Sequence, residues 1–274
     1  MPEIYIPEKL NRFLEPKRFK IAIGGRGSGK SMSFANMCLM DAQTKNIKTL
    51  CFREYQNSID DSVHSLLKSE IERLDLQCFS VQKSAILIND EPMFKFKGLA
   101  RDPEAVKSAH GFQRFWVEEA QTISFDSLKA LTPTLREEGS EIWFSANPRS
   151  SVDAFSQRFI KPFEKQILRD GFYEDDDHMI ISINIEDNDM APEVLLKEMA
   201  GDKERMSPAL FSHVWSGHFL DDVQDSIIPA EWFDAAIDSH KKLGFEASGA
   251  VIASHDPSDE GGDSKGFALR KGSV

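Results

Sequence analysis

Short apolar runs alternate with longer segments of helical period through most of the chain. The runs are rich in Ile, Val and Phe, and they predict strands at 19–24, 47–52, 114–118, 141–146 and 178–184. Strands that alternate with helical segments are typical of a parallel sheet covered by helices. The pattern therefore predicts an α/β fold with a mostly parallel sheet flanked by helices.

The segments between these strands carry their own signals. Apolar residues at three- and four-residue steps from Ile59 to Leu74 predict an amphipathic helix. The apolar run 85–88, the pair Asn89-Asp90 and the alternating run 93–97 predict a β-hairpin inserted into the sheet. Two further helices are expected near 192–204 and 208–216, where we expect them to cap the sheet.

A glycine-rich segment between the first strand and the following helical segment matches G-x-x-x-x-G-K-S. It comprises Gly24, Gly25, Arg26, Gly27, Ser28, Gly29, Lys30 and Ser31. A strand before this motif and a helix after it are the context of a phosphate-binding P-loop. The glycines let backbone amides turn towards phosphates, Lys30 reaches the β- and γ-phosphates, and the Ser31 hydroxyl ligates Mg²⁺. The alternative is a glycine-rich turn with an incidental Lys-Ser pair.

A tandem acid pair follows the apolar run Phe115-Trp116-Val117. Glu118 and Glu119 lie where P-loop enzymes carry the Walker B acids, although Glu stands at 118 where Asp is usual. We assign Glu118 to magnesium coordination and Glu119 to the general base that deprotonates water. The alternative is a surface pair at the end of a strand.

Other polar residues extend this candidate site. Asn147 follows the strand at 141–146 and is a candidate γ-phosphate sensor, although Asn-Pro is also a common turn. Arg26 in the P-loop and Arg53 at the end of the second strand are candidates for stabilising transition-state charge. We favour Arg26, and a structural ion pair is the alternative for either arginine.

Charge and composition limit the classes of protein to consider. The 274 residues include 33 Lys+Arg and 45 Asp+Glu, a net charge of −12, and 41% are hydrophobic, which suits a globular core. Residues 1–110 carry 17 basic and 14 acidic side chains, so the acidic excess lies after them. The basic clusters at 17–20 and 95–97 either follow a phosphate backbone or form solvated faces. The three cysteines are expected to be buried thiols, and neither a leader nor a membrane span is expected.

Five ordered motifs together resemble a known family. They are GGRGSGKS, FRE-QNS-DSV from Phe52, WVEEA from Trp116, EIWFSANP from Glu141 and ASHDPSD from Ala253. The chain resembles the large terminase subunit of tailed bacteriophages, in the branch of short-tailed lambdoid phages. The resemblance implies a P-loop NTPase motor of the ASCE type over 1–217, a linker over 218–247, and the first strands of an RNase H-like nuclease over 248–274.

The resemblance also implies cofactors, partners and roles. ATP and Mg²⁺ are expected at the motor, where Ser145 and Asn147 would lie in the coupling motif. Asp256 would be the first carboxylate of a nuclease that uses Mg²⁺ or Mn²⁺, and activity is expected only from a longer chain. The implied partners are double-stranded DNA, a portal protein and procapsid, a small terminase subunit and further copies in a ring. These partners place the protein in the host cell cytoplasm.

Two other functions are compatible with a P-loop. One is a helicase-like or repair ATPase, which requires a second lobe or strand-tracking motifs that we do not find in the sequence. The other is a module that binds nucleotide in order to assemble and does not turn it over. Glu119 argues against the second function, because a binding module needs no general base.

Overall fold

The computed structural model describes residues 4–55, 63–100, 106, 111–220, 232, 235–237, 239–246, 248–256 and 266–271. By its internal contacts the chain divides into two compact units, Met1–Asp221 and Asp222–Val274. Part of the predicted helix that begins at Ile59 lies outside the described residues, as does part of the predicted linker 218–247. The candidate site of the P-loop lies in the first unit.

One nine-stranded sheet forms the centre of the first unit. Its strands are β1 (Phe19–Ile23), β2 (Thr49–Arg53), β3 (Phe79–Val81), β4 (Ala85–Ile88), β5 (Glu91–Gly98), β6 (Arg114–Glu118), β7 (Glu141–Ala146), β8 (Phe172–Glu174) and β9 (His178–Ser182). The helices are α1 (Lys30–Lys45), α2 (Ser65–Arg73), α3 (Phe125–Leu131), α4 (Ala154–Phe159), α5 (Glu164–Asp170), α6 (Glu193–Arg205) and α7 (Pro208–Ser216). The predicted α/β class and its five main strands are confirmed.

The strand order is β3-β4-β5-β2-β6-β7-β1-β9-β8. Pairing is parallel from β5 through to β9 and antiparallel at both margins. Strand β7 lies between β1, which leads into the P-loop, and β6, which leads into the acid pair. Because parallel strands end at the same edge of a sheet, this order brings both motifs to one edge.

The predicted hairpin is present as β4 and β5. Its two-residue turn places Asn89 at φ 50° and Asp90 at φ 63°, the left-handed pair that suits the twist of a hairpin. Strand β5 pairs in parallel with β2, so the insertion extends the main sheet. Strand β3 was not predicted, because three residues with one buried side chain leave little pattern in a sequence.

Each face of the sheet carries its own apolar core. Trp116 and Trp143 point to the face covered by α1 and α2, where Phe34 packs against both rings. Phe115 and Phe144 point to the opposite face, which is covered by α3, α4 and α5. The alternation along β6 and β7 follows from the two-residue period of a strand.

A buried ion network joins the amino-terminal ends of the central strands. Lys20 Nζ lies 2.7 Å from Glu141 Oε1, and Arg114 Nη2 lies 2.7 Å from Asp41 Oδ2 and 3.4 Å from Glu141 Oε2. The Arg114 guanidinium also stacks 3.8 Å from the centre of the Trp143 ring. Burial lowers the pKa of Lys20, and Glu141 opposes that shift. These contacts connect β1, β6, β7 and α1.

The basic cluster at 17–20 is used inside the fold. Lys20 is 3% exposed, and Arg18 donates to the backbone carbonyls of Thr132, Leu135 and Ser140. Both expectations for this cluster, a phosphate-binding surface and a solvated face, were therefore wrong for these two residues. The cause is the position of the cluster, which continues into the central strand β1. A charged side chain that is buried at the start of this strand needs a charged partner.

Two cysteines are buried as predicted, and the third is not. Cys38 on α1 and Cys51 on β2 are buried, whereas Cys78 is exposed. Cys78 lies in the connection between α2 and β3, one residue before the strand begins. A connecting segment lies at the surface, so the expectation of a buried thiol was wrong there.

The second unit contributes a short helix α8 (Ser239–Leu243) and two antiparallel strands, β10 (Val251–Asp256) and β11 (Gly266–Lys271). Asp256 is the last residue of β10. Throughout the described part of the chain, every helix is too short or too polar to cross a membrane.

The ion network predicts a specific loss of stability. Arg114→Ala should lower the free energy of unfolding by about 3–5 kcal/mol, because Asp41 and Glu141 lose a buried partner. Urea denaturation followed by circular dichroism would measure the loss. The control is Arg169→Ala, which removes an exposed ion pair with Asp170 and should leave the midpoint unchanged. Equal midpoints for the two variants would contradict the structural role of Arg114.

Candidate functional site

A cavity of about 470 Å³ opens at the edge of the sheet where the parallel strands end. Its lining comprises residues 25–32, Leu66, Glu118, Glu119, Gln121 and residues 145–147. The structure therefore brings the predicted site residues of the first unit together in this lining, except Gly24, which directly precedes the lining residues in the chain. Asp256 belongs to the second unit.

The P-loop is packed closely against the chain around it. A Cβ atom at Gly25 would lie 2.0 Å from the backbone oxygen of Trp215, a distance that no side chain tolerates. Gly29 adopts φ 78° immediately before α1, in the left-handed region that glycine enters without strain. The loop therefore needs glycine at these two positions for its path and its contacts.

Polar contacts from two later segments also hold the loop. Asn184 Oδ1 accepts the backbone N–H of Gly25 at 3.2 Å, and Asn188 Nδ2 donates to the Gly27 carbonyl at 2.8 Å. The backbone N–H of Arg26 donates to the Val214 carbonyl at 2.9 Å. The two asparagines are not among the residues predicted from the sequence. Their one signal was their position just after β9, a strand that pairs with β1.

Lys30 turns back onto the loop that precedes it. Its Nζ donates to the carbonyl oxygens of Gly24 and Gly25, both at 2.7 Å, and to the Ser28 hydroxyl at 2.8 Å. Burial lowers the pKa of Lys30 to about 7, and the nearby Glu118 carboxylate opposes this shift. The ammonium group is thus held by neutral dipoles in a place that disfavours its charge.

Glu118 ends β6 and is held on both of its carboxylate oxygens. The Ser31 hydroxyl donates to Oε1 at 3.2 Å, and Arg53 Nε donates to Oε2 at 2.6 Å. Burial raises the pKa of Glu118, while the charge and the hydrogen bond of Arg53 oppose the rise. Arg53 thus favours the ionised form of a carboxylate, whereas burial disfavours that form.

Glu119 follows in an unusual conformation. Its φ of 53° and ψ of 48° are left-handed, which costs a non-glycine residue about 1–3 kcal/mol. The Thr122 backbone N–H and hydroxyl both donate to the Glu119 carbonyl, at 3.0 and 2.8 Å, and so stabilise the turn. The side chain is 48% exposed, and its Oε1 lies 2.6 Å from Arg53 Nη2. The turn therefore aims the carboxylate away from the strand and towards the cavity.

The two candidate arginines occupy different places. Arg53 bridges Glu118 and Glu119 at the end of β2, next to β6. Arg26 is exposed and lines the cavity. The expectation of an ion pair thus describes Arg53 in this structure, while Arg26 has the access that contact with a phosphate requires.

The loop after β7 completes the cavity wall. The backbone N–H of Asn147 donates to Gln121 Oε1 at 3.2 Å, and Asn147 Oδ1 is buried without a partner among the described residues. Ser145 accepts a hydrogen bond from Trp116 Nε1 at 3.1 Å. Gln121 was not among the predicted residues, because nothing but its place two residues after the acid pair distinguishes it.

The residues present suit a magnesium ion bound together with phosphates. Ser31 and Glu118 offer hard oxygen ligands to one point, and Mg²⁺ commonly takes few protein ligands beside phosphate and water oxygens. Among the described residues, no group of three or more His, Cys, Asp or Glu side chains gathers as a self-sufficient metal site.

Comparison with solved structures identifies related folds. The N-terminal domain of the DNA packaging ATPase from bacteriophage phi29 superposes with a TM-score of 0.52 at 16% identity, over 65% of this chain and 95% of that one. The large terminase of bacteriophage HK97 gives 0.53 at 13% identity, over 75% and 48%. A large terminase from a thermophilic bacteriophage, solved in complex with ADP, gives 0.57 at 11% identity, over 76% and 52%. At these identities the likeness shows a shared fold.

Comparison of sequences identifies a family as well as a fold. The PBSX phage terminase large subunit of Bacillus subtilis (strain 168) is 25% identical over an alignment of 214 residues, which covers 73% of this chain and 49% of that protein. The chain thus spans about half the length of this curated relative. The family model for the phage terminase large subunit matches residues 16–218, which include the whole sheet and cavity. The chain therefore belongs to the phage terminase large subunit family.

Proposed function

We propose that the first unit binds ATP with Mg²⁺ and hydrolyses it. The observation that carries this proposal is the single cavity in which Lys30 and Ser31 face Glu118 and Glu119. A P-loop supplies the phosphate cradle, and an acid pair on a nearby strand supplies the metal ligand and the base. Each side chain to which we assign a role in the reaction belongs to this unit.

Binding would use the start of α1. The first N–H groups of a helix lack partners within it and carry partial positive charge, which favours a phosphate at this position. Lys30 would exchange the Gly24 and Gly25 carbonyls for phosphate oxygens, gaining charged partners for a buried ammonium. Ser31 and Glu118 would hold Mg²⁺, which neutralises phosphate charge when bound.

Hydrolysis would use Glu119 as the general base. Its carboxylate is half exposed and lines the cavity, where it can accept a proton from an attacking water. Arg53 favours the ionised form of Glu118, which the assigned role of that residue as a metal ligand requires. Arg26 would stabilise charge that develops on the transferred phosphate, with Asn147 near the γ-phosphate as sensor.

The family of the chain supports a proposal for the function of the whole protein. We propose that the unit is the motor of a terminase that moves double-stranded DNA into a procapsid in the host cytoplasm. Its partners would be the portal, a small terminase subunit and further copies arranged as a ring. Assignment to the branch of short-tailed lambdoid phages rests on the five sequence motifs, and the limits 1–217, 218–247 and 248–274 are proposed as motor, linker and nuclease fragment.

The competing functions differ in measurable ways. A nucleotide-gated assembly module would bind ATP without releasing phosphate. A helicase-like ATPase would separate the strands of a forked duplex, whereas a packaging motor moves along an intact one. Phosphate release by the purified chain, followed by a strand-separation assay, distinguishes the three.

Glu119→Gln tests hydrolysis directly. The variant should bind ATP as the parent does and lose turnover by about 10²–10⁴-fold, because an amide cannot accept the proton of water. Lys30→Ala should instead weaken binding. Glu137→Gln, the same change at an exposed position in a connecting loop, is the control and should retain full turnover. If Glu119→Gln retained more than about a tenth of the parent's turnover, Glu119 would not be the general base.

The environment of Lys30 predicts proton uptake on binding. Its pKa of about 7 in the free protein should rise when phosphate oxygens replace carbonyls, so Mg-nucleotide affinity is full below that pKa and falls as pH rises above it. Calorimetric titrations at about pH 8, in two buffers of different ionisation enthalpy, should report uptake of up to about one proton. Lys30→Arg stays charged and should take up none. Equal binding enthalpies in both buffers would contradict this account.

For the second unit we predict that this chain has no nuclease activity. Two-metal cleavage holds its ions about 3.5–4 Å apart with several carboxylates, and we assign one carboxylate, Asp256. We therefore propose that cleavage needs further acidic residues on other strands, and that the chain hydrolyses ATP but does not cut DNA. Incubation with plasmid and Mg²⁺ or Mn²⁺ tests this proposal. Cleavage that disappears in Asp256→Ala would show that the second unit is catalytic.

A further inference from the structure

Gln121 is a polar residue of the cavity that has no part in the proposed reaction so far. It lies in the short helical turn Ala120–Thr122, which begins directly after Glu119. Its side chain lines the same cavity as Lys30 and Glu119. Its place in the wall follows from the left-handed conformation of Glu119, which starts the turn and directs the chain from β6 back across the ends of the strands.

The orientation of the Gln121 amide is fixed by its partner. The backbone N–H of Asn147 can only donate, so the atom that it contacts at 3.2 Å must be the carbonyl oxygen Oε1. This bond joins two segments that come from different strands, the turn after β6 and the loop after β7. It therefore connects the turn that begins at Glu119 to the loop that carries the proposed sensor.

The other side of this link is Asn147. Its Oδ1 is buried and has no partner among the described residues, although a buried acceptor without a partner usually costs stability. Such an atom is typical of a site that is completed by a ligand or an ordered water. The position of this side chain in the cavity depends on its own backbone, which Gln121 holds.

We propose that Gln121 is a positioning residue for hydrolysis. It fixes the loop at Asn147 against the turn of Glu119, so that the sensor and the base keep one geometry around the γ-phosphate. It acts through Asn147 and makes no contribution to holding the nucleotide. The inference rests on the proposed ATPase function and adds a residue that the sequence motifs do not include.

The test compares three variants by their kcat and KM for ATP. Gln121→Leu keeps the approximate size but loses the acceptor, and we expect kcat to fall about 3- to 10-fold, the equivalent of one hydrogen bond, with KM unchanged. Gln121→Glu keeps an oxygen that accepts the Asn147 N–H, and at saturating ATP it should retain kcat within about twofold.

The matched control is Gln113→Leu. Gln113 Oε1 accepts the backbone N–H of Lys48 at 2.9 Å, so it makes the same type of bond just before the other end of β6. Its loss should lower the melting temperature about as much as Gln121→Leu does and leave kcat unchanged. The comparison of the two variants thus separates a general loss of stability from a specific loss of the geometry between Asn147 and Glu119.

The outcomes distinguish the inference from the function beneath it. If the parent hydrolyses ATP and Gln121→Leu has the same kcat, the positioning role is overturned and the ATPase proposal stays intact. An equal loss of kcat in Gln121→Glu and Gln121→Leu would also overturn it, because the acceptor would then be irrelevant. A parent chain that binds ATP but releases no phosphate would overturn both proposals.

Discussion

Parallel pairing of β6, β7 and β1 is the constraint on which the candidate site depends. The register pairs Ile23 with Ala146 and Glu118 with Ser145, so the three strands end at nearly the same level. The P-loop, the acid pair and the loop of Asn147 then leave the sheet side by side. A slip of one residue in either pairing would move a carboxylate by about 3.3 Å and turn it to the other face. The chemistry is therefore set by strand register as much as by residue type.

The opposite edge of the same strands helps to maintain that register. Arg114 and Glu141 start β6 and β7, and Lys20 is the second residue of β1. Their charges pair with one another and with Asp41 on α1. A shifted strand would leave one of these buried charges without a partner, which costs far more than a lost apolar contact. The ion network and the cavity thus lie at the two ends of one set of strands, and the network opposes misalignment at the cavity.

Much of this arrangement could be predicted from residues that are close in sequence. The P-loop and the acid pair are local motifs, and the alternation of strands and helices indicated a sheet with their strands near one another. The contacts of Arg53, Asn184 and Gln121 could not be predicted from the sequence, because each depends on which strands are neighbours in the sheet. The buried roles of Lys20 and Arg18 were also missed, since a basic cluster looks the same in sequence whether it meets solvent or a buried carboxylate.

The left-handed backbone of Glu119 has an evolutionary consequence. At that conformation glycine is relaxed and asparagine nearly so, whereas glutamate is strained. Stability alone therefore favours losing the carboxylate at the position where we assign the base, and hydrolysis favours keeping it. Selection for a more heat-resistant chain, without selection for turnover, would be expected to replace this residue early. Persistence of glutamate at this position across related chains would then record a continuing demand for catalysis.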